Sequence, residues 1–142
     1  FYREAIGFLD KSIELNKNFD ITYFYRAVAY HALENYNCAM LDYTKALKLN
    51  PKLTDAYYNR AKIILEKKNS TQKELEGAIV ALNKALELDE KFIDALYAMA
   101  AAQKKVKNYH GVLVYLEKLL TIQPQSVNAR ALKKLILQKY IN

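Results

Sequence analysis

The chain has 142 residues, of which 52% are hydrophobic and 26% are charged, with 3 Gly, 2 Pro and 1 Cys. This composition excludes a disordered tail, a collagen-like fibre, a loop-rich β domain and a disulfide framework. The net charge of +7 suggests an acidic partner. Residues 1–100 contain 14 basic and 14 acidic side chains, however, so the whole excess lies in residues 101–142.

The sequence contains no apolar segment long enough to span a membrane and no signal-peptide pattern. It begins at Phe1, inside an amphipathic segment, which favours a piece of a longer protein. We therefore assign no cellular compartment from the sequence.

The chain repeats itself with a period of 34 residues, and one unit is five residues longer. Tyr23, Tyr57 and Leu96 are separated by 34 and then 39 residues, and the same two spacings separate Pro51 from Pro124. Such a period predicts a stack of repeated units, since one unit cannot bury both of its faces alone. The same spacings relate four further sets: Ala27, Ala61 and Ala100; Ala5, Ala39, Ala78 and Val112; Leu9, Tyr43, Leu82 and Leu116; and Ser12, Ala46, Ala85 and Leu119.

Each unit has the pattern of two helices. In residues 20–53, Tyr23, Ala27 and Tyr30 recur at spacings of four and three, which place them on one face of a helix. Pro51 ends the unit because it lacks the N–H that a helix needs. The predicted helices, in chain order, are residues 1–16, 20–33, 36–50, 54–68, 72–89, 93–106, 109–122 and 126–140.

We expect residues 1–142 to form a single repeat domain. The five-residue insertion lies between the helices of the third unit, at Lys67 to Glu74, where Thr71 and Glu74 fit a capping box. We interpret it as a surface loop, with a functional loop as the alternative. The expected parts are 1–19, the second helix of a truncated repeat; 20–53, a repeat; 54–92, a repeat with the insertion; 93–126, a repeat; and 127–142, a terminal or capping helix.

This pattern resembles the tetratricopeptide repeat. The third unit departs from the family through Glu90, which stands in place of the closing proline, and the fourth through Val112 and Leu119 in place of alanines. The resemblance implies an all-α, right-handed superhelix of antiparallel helix pairs, whose first helices line a concave groove that recognises proteins. The residues of the second unit that carry the resemblance are Tyr23, Ala27, Tyr30, Ala39, Tyr43, Ala46 and Pro51.

The family's groove-facing positions select the candidate binding residues of this chain. They predict a groove that is aromatic in its first half and basic at its C-terminal end. The carboxylate clamp of the family is not expected, because only Asn59 matches it. The candidates are Phe24, Tyr25, Val28 and His31 in the second unit; Asp55, Tyr58, Asn59 and Lys62 in the third; Asp94, Tyr97, Ala101, Lys104 and Lys105 in the fourth; and Arg130 and Lys134 in the last helix.

The main functional hypothesis is a non-catalytic scaffold that binds a peptide or helix of a partner protein. Aromatic side chains such as Tyr25 and Tyr58 would contact apolar side chains of the peptide, and Asn59 its backbone. The basic residues would contact acidic groups. Arg26 and Arg60 occupy equivalent positions, where we expect salt bridges to the adjacent unit rather than ligand contacts.

Two other classes stay open at this stage. One is an architectural segment that self-associates within a longer repeat array. The other is nucleic-acid or anionic-membrane binding through the basic C-terminal segment, which we place behind because no stacking platform is visible there. The sequence indicates no small-molecule substrate, no cofactor, no metal-ligand spacing and no catalytic constellation; His31 and Cys38 are separated by a predicted turn.

Overall fold

A computed structural model describes residues 1–141. All eight predicted helices are confirmed, with ends within a few residues of those expected, and the described residues contain no strand. A π-helical turn, Leu137–Ile141, follows the last helix and was not predicted. The helices are α1 (Tyr2–Leu15), α2 (Asp20–Ala32), α3 (Tyr36–Leu49), α4 (Thr54–Glu66), α5 (Gln72–Leu88), α6 (Ile93–Lys105), α7 (Tyr109–Ile122) and α8 (Val127–Ile136).

The helices pack as consecutive antiparallel pairs. Helices α2, α4 and α6, here called the first helices, each pack along the second helix that follows them, namely α3, α5 and α7. Each pair also contacts the next pair, and α4 contacts α6 directly. The first helices therefore form one layer and the second helices the other, as the repeat pattern predicted for a superhelical solenoid.

Small residues lie where the two helices of a pair cross. Ala27, Ala39 and Ala46 are fully buried in the first pair, and Tyr43 fills the space beside them with no exposed surface. Larger side chains at the crossing would force the backbones apart, since protein interiors are close-packed. In the pair α6–α7, Val112 and Leu119 take the alanine positions and are also fully buried, so this pair tolerates the departures from the family pattern.

Two of the turns have the same backbone conformation. The turn between α2 and α3 places Glu34 at φ 59°, and the turn between α6 and α7 places Lys107 at φ 62°. Asn35 and Asn108 then cap the second helices, accepting hydrogen bonds from the N–H of Cys38 and Gly111. The left-handed residue ends the first helix, and the asparagine that follows it directly is the N-cap of the second helix.

The five-residue insertion is an ordered surface loop between α4 and α5. The predicted capping box is confirmed: the Glu74 N–H donates to Thr71 Oγ1 at 3.1 Å, and the Thr71 N–H donates to Glu74 Oε1 at 3.1 Å. Lys67 also pairs with Glu74, and the Ser70 hydroxyl donates to the Ile64 carbonyl. These bonds fix both ends of the loop.

Helix α8 packs on α7 in the manner of a first helix. Ala129 and Ile136 are fully buried, and they follow Ala95 and Ala102, also fully buried, at the 34-residue spacing. Lys133 pairs with Glu117 on α7. The repeat register therefore continues unbroken from α6 into α8.

Candidate functional site

The first half of the predicted groove is aromatic, and Tyr25 is its most accessible ring. Tyr25 is 56% exposed and meets the ring of Phe24 edge to face at 5.6 Å. Phe24 is half-buried and in turn contacts the buried Tyr43 ring at 5.8 Å. Val28 is half-buried in the same cluster. Phe24 thus connects the exposed Tyr25 ring to this buried cluster, in which Val28 also packs.

His31 connects α2 to α4. Its Nε2 lies 3.2 Å from Glu66 Oε2, and its ring meets those of Tyr36 and Tyr43 edge to face. Lys62 lies 3.9 Å from Glu66 on the same helix. The sequence prediction included His31 and Lys62 but missed Glu66, although the spacing of four between Lys62 and Glu66 was available to indicate it.

Tyr58 and Asn59 lie on α4, at the middle of the predicted groove. The Tyr58 ring packs against Phe92 with a centroid distance of 5.1 Å, and its burial raises the pKa of the phenol. Asn59 is half-buried beside the hydroxyl of Tyr43. Burial raises the pKa of Tyr43, and the nearby Asn59 side chain opposes that shift.

Tyr97 on α6 is half-buried, and its hydroxyl is held within the protein. The hydroxyl lies 2.6 Å from Ser126 Oγ, and the same Ser126 oxygen accepts from the Ala129 N–H at the start of α8. Tyr97 therefore offers a ring face rather than a free hydroxyl to a ligand. Asp55, Asp94 and Ala101 are exposed beside these rings.

The basic candidates fall into two groups. Lys104 and Lys105 are exposed in the last turn of α6, and within residues 1–141 neither forms an ion pair. Arg130 and Lys134 are exposed on α8, but the 34-residue spacing makes them equivalent to Leu96 and Ala100. Those two residues are 1% exposed and face the second helix of their own pair. The register thus places Arg130 and Lys134 outside the row that contains Tyr97.

The expected salt bridge of Arg26 is confirmed and that of Arg60 is wrong. Arg26 pairs with Asp42 at 2.7 Å and with Asp10 of the preceding pair at 2.9 Å, and these bonds raise its pKa. Arg60 has no acidic partner among the described residues, because Thr44 and Ala81 stand at the positions equivalent to Asp10 and Asp42.

A cleft on the second-helix layer was not predicted. It has a volume of about 620 Å³ and lies between α5 and α7. Its apolar wall includes Leu86, Leu96, Tyr115 and Ile122. Leu96 stands where the other pairs have Tyr23 and Tyr57, and the shorter side chain leaves this space open. The repeat spacing shows that Leu96 stands at a tyrosine position. Whether a cleft results depends on the distance between α5 and α7, which the sequence does not give.

The described residues contain no cluster of His, Cys, Asp and Glu that could hold a metal ion. None of the helices in residues 1–141 is both long and apolar enough to cross a membrane. Cys38 is half-buried in the first turn of α3.

The paired helices, their alanine crossings and the continuous register define a helical-repeat protein of the solenoid class. Three family models match successive parts of the chain: "Tetratricopeptide repeat" at residues 22–53 and again at 42–75, and "TPR repeat" at 71–107. Together they cover more than half of the chain. The chain belongs to the tetratricopeptide repeat family.

Relatives of known sequence match within much longer proteins. Human sperm-associated antigen 1 is 32% identical over 68% of this chain, and human tetratricopeptide repeat protein 12 is 32% identical over 79%. These matches span only 10% and 16% of the lengths of the two relatives.

Solved structures show the same fold. The MamA crystal structure has a TM-score of 0.87 and 21% identity, and the match covers 96% of this chain and 77% of MamA. The first TPR of Spaghetti, bound to the HSP90 peptide SRMEEVD, has a TM-score of 0.73 and 20% identity, with 87% and 96% covered. Both likenesses show that the chain has the tetratricopeptide fold.

Proposed function

We propose that this chain binds an extended peptide or a helix of a partner protein in the groove lined by its first helices, and that it is not a catalyst. One observation carries the proposal: an exposed aromatic ring, Tyr25, lies on α2, and two cations that form no ion pair among the described residues, Lys104 and Lys105, lie on α6. An aromatic ring with a buried support binds apolar side chains at low entropic cost. The unpaired lysines favour acidic groups.

The structure of the Spaghetti TPR with an acidic HSP90 peptide supports this mode of binding as a family property. This chain does not have the side chains of the family's carboxylate clamp. Only Asn59 matches it, and the other clamp positions are occupied by Phe24, Val28, Asp94 and Ala98. We infer that a ligand of this chain contacts Tyr25 and Tyr58 through apolar side chains. Its acidic groups then lie toward Lys104 and Lys105.

The test is peptide selection by display against the whole chain, followed by calorimetry on the selected peptides. Tyr25→Ala with Lys105→Glu is the groove variant, and Lys84→Glu on the opposite layer is the charge-matched control. We expect the groove variant to lower affinity about tenfold or more and the control to leave it within about twofold. Peptides that bind wild type, the groove variant and the control with equal affinity would refute the assignment of binding to the groove.

Self-association within an array is a second candidate, and α1 is the observation that favours it. This helix has no buried residue, and Phe1, Phe8 and Leu15 are 94%, 73% and 89% exposed. Exposed apolar patches of this kind mark interaction surfaces. Sedimentation equilibrium of the chain and of the Phe8→Ser variant tests it: a dimer that the variant abolishes supports the candidate, and a monomer at high micromolar concentration removes it.

A further inference from the structure

Arg26 on α2 is neutralised by carboxylates of the two second helices that flank it. The Arg26 guanidinium donates from Nε and Nη2 to the two oxygens of Asp42, at 2.7 and 2.8 Å, and from Nη1 to Asp10 at 2.9 Å. Asp42 lies on α3 and Asp10 on α1, so Arg26 joins two successive second helices. A bidentate pair of this geometry is among the strongest polar contacts in proteins.

The half of this arrangement that Arg26 forms with Asp10 recurs at the other end of the described fold. Lys133, three repeat spacings after Arg26, pairs with Glu117, which is equivalent to Asp10. The site between a first helix and the preceding second helix is therefore filled by a cation and a carboxylate at both ends of the described fold.

The pair α4–α5 has the cation without the carboxylate. Arg60 is equivalent to Arg26, and its Nε is buried with no hydrogen-bond partner among the described residues. The residue equivalent to Asp42 is Ala81, and the residue equivalent to Asp10 is Thr44, whose hydroxyl already donates to the Met40 carbonyl. Burial lowers the pKa of Arg60, and no carboxylate opposes that shift.

Arg60 as a whole is half-buried, but its Nε is costly, because this atom has lost water without gaining a hydrogen-bond partner among the described residues. Both side chains that replace the acids are shorter than aspartate, so neither supplies a carboxylate oxygen where Asp42 and Asp10 supply one to Arg26.

We propose that the surface between α3 and α5 is a second binding site, which takes an aspartate or glutamate side chain of a partner protein onto the Arg60 guanidinium. This site lies on the second-helix layer and is separate from the groove that we propose on the first helices. The assignment to a carboxylate follows from the fold itself, which uses Asp42 and Asp10 for the equivalent arginine.

The surroundings indicate the rest of the partner segment. Leu41, one turn before Thr44, is 72% exposed, and Val80, next to Ala81, is 61% exposed. Lys45 on α3 is also exposed and adds a positive charge to this surface. The matching ligand is an acidic residue flanked by apolar side chains.

The probe is the peptide acetyl-Leu-Glu-Leu-amide, with acetyl-Leu-Gln-Leu-amide as its neutral control. The readout is the Nε–Hε resonance of Arg60 by NMR, with sodium chloride added to equal ionic strength. We expect a saturable shift with the glutamate peptide and binding about tenfold weaker or absent with the glutamine peptide. Equal shifts with the two peptides, or with salt alone, overturn the proposal.

Two variants and a second anion make the test specific. Ala81→Asp supplies the internal carboxylate that Asp42 supplies to Arg26, so it should fold and abolish the shift. If it does not fold, Thr44→Asp supplies the carboxylate of the Asp10 position instead. A shift that persists in the folded variant contradicts the proposal. Inorganic phosphate that displaces the peptide and binds more tightly would assign the site to phosphate, and so would overturn the partner side chain as its ligand.

Discussion

The hydroxyl of Tyr97 lies 2.6 Å from the hydroxyl of Ser126, and this contact joins the groove layer to the start of the last helix. Ser126 also caps α8 through the Ala129 N–H. One serine oxygen thus positions a candidate binding ring and begins a helix. Ligand binding at Tyr97 and the order of α8 are therefore expected to be coupled.

Tyr97→Phe tests this coupling. Removing the Tyr97 hydroxyl leaves Ser126 Oγ with the hydrogen bond from the Ala129 N–H alone. We expect a loss of about 1 kcal/mol in the free energy of unfolding. Urea denaturation measures it. Ser126→Ala should cost about 1–2 kcal/mol, because the cap is lost as well. If the effects of the two single variants simply add in the double variant, the hydroxyls do not interact.

Lys107→Gly is expected to stabilise the protein. Lys107 has φ 62°, a conformation that costs residues with a side chain about 1–2 kcal/mol and costs glycine little. Part of that gain is lost to the greater backbone freedom of glycine when unfolded, so we expect a net increase of up to about 1 kcal/mol. The increase should appear as a higher urea midpoint with an unchanged slope.

Lys105→Gly is the matched control, since Lys105 is an exposed helical residue two positions earlier. It should destabilise the protein by up to about 1 kcal/mol. Stabilisation by both variants would mean that the effect does not come from the left-handed conformation.

Glu74 should make stability depend on pH. The pairs with Lys67 and with the Thr71 N–H lower the pKa of Glu74 in the folded state. Because the folded state resists protonation more than the unfolded state, this contribution is present above the unfolded pKa and is lost as pH falls through the folded pKa. Glu74→Gln removes it at every pH. The stability difference between wild type and variant should therefore shrink between neutral pH and about pH 3; a difference that is constant with pH contradicts this account.

Asp42→Ala should be strongly destabilising, because it removes the bidentate partner of Arg26 and leaves that guanidinium with Asp10 alone. We expect a loss of about 3 kcal/mol or more by urea denaturation, as for other broken buried pairs. Asp55→Ala, an exposed acid on α4, is the control and should change stability by no more than about 0.5 kcal/mol. Equal effects of the two variants would show that the pair contributes little.

The helices and most of the core could be predicted from the sequence because both follow the repeat. Period and spacing identified the crossing residues Ala27, Ala39 and Ala46, and Thr71 with Glu74 identified the one long loop. These features depend on local geometry, which residues a few positions apart determine.

Side-chain partners across the stack were harder to predict. The equivalence of Arg60 to Arg26 suggested a salt bridge, but a salt bridge needs a carboxylate on the neighbouring helices, and Ala81 and Thr44 cannot supply one. Likewise Tyr97 was expected to be a groove residue, but its hydroxyl contact with Ser126 was not predicted. Applying the 34-residue spacing to α8 would have made Arg130 and Lys134 equivalent to Leu96 and Ala100, outside the row of groove candidates that contains Tyr97.

The most direct test of the central claim is calorimetry of one selected peptide with wild type, with the groove variant Tyr25→Ala plus Lys105→Glu, and with the control Lys84→Glu. We predict that the groove variant raises Kd about tenfold or more, while the control stays within about twofold of wild type. A peptide that binds the groove variant as tightly as wild type would contradict the assignment of protein recognition to this groove.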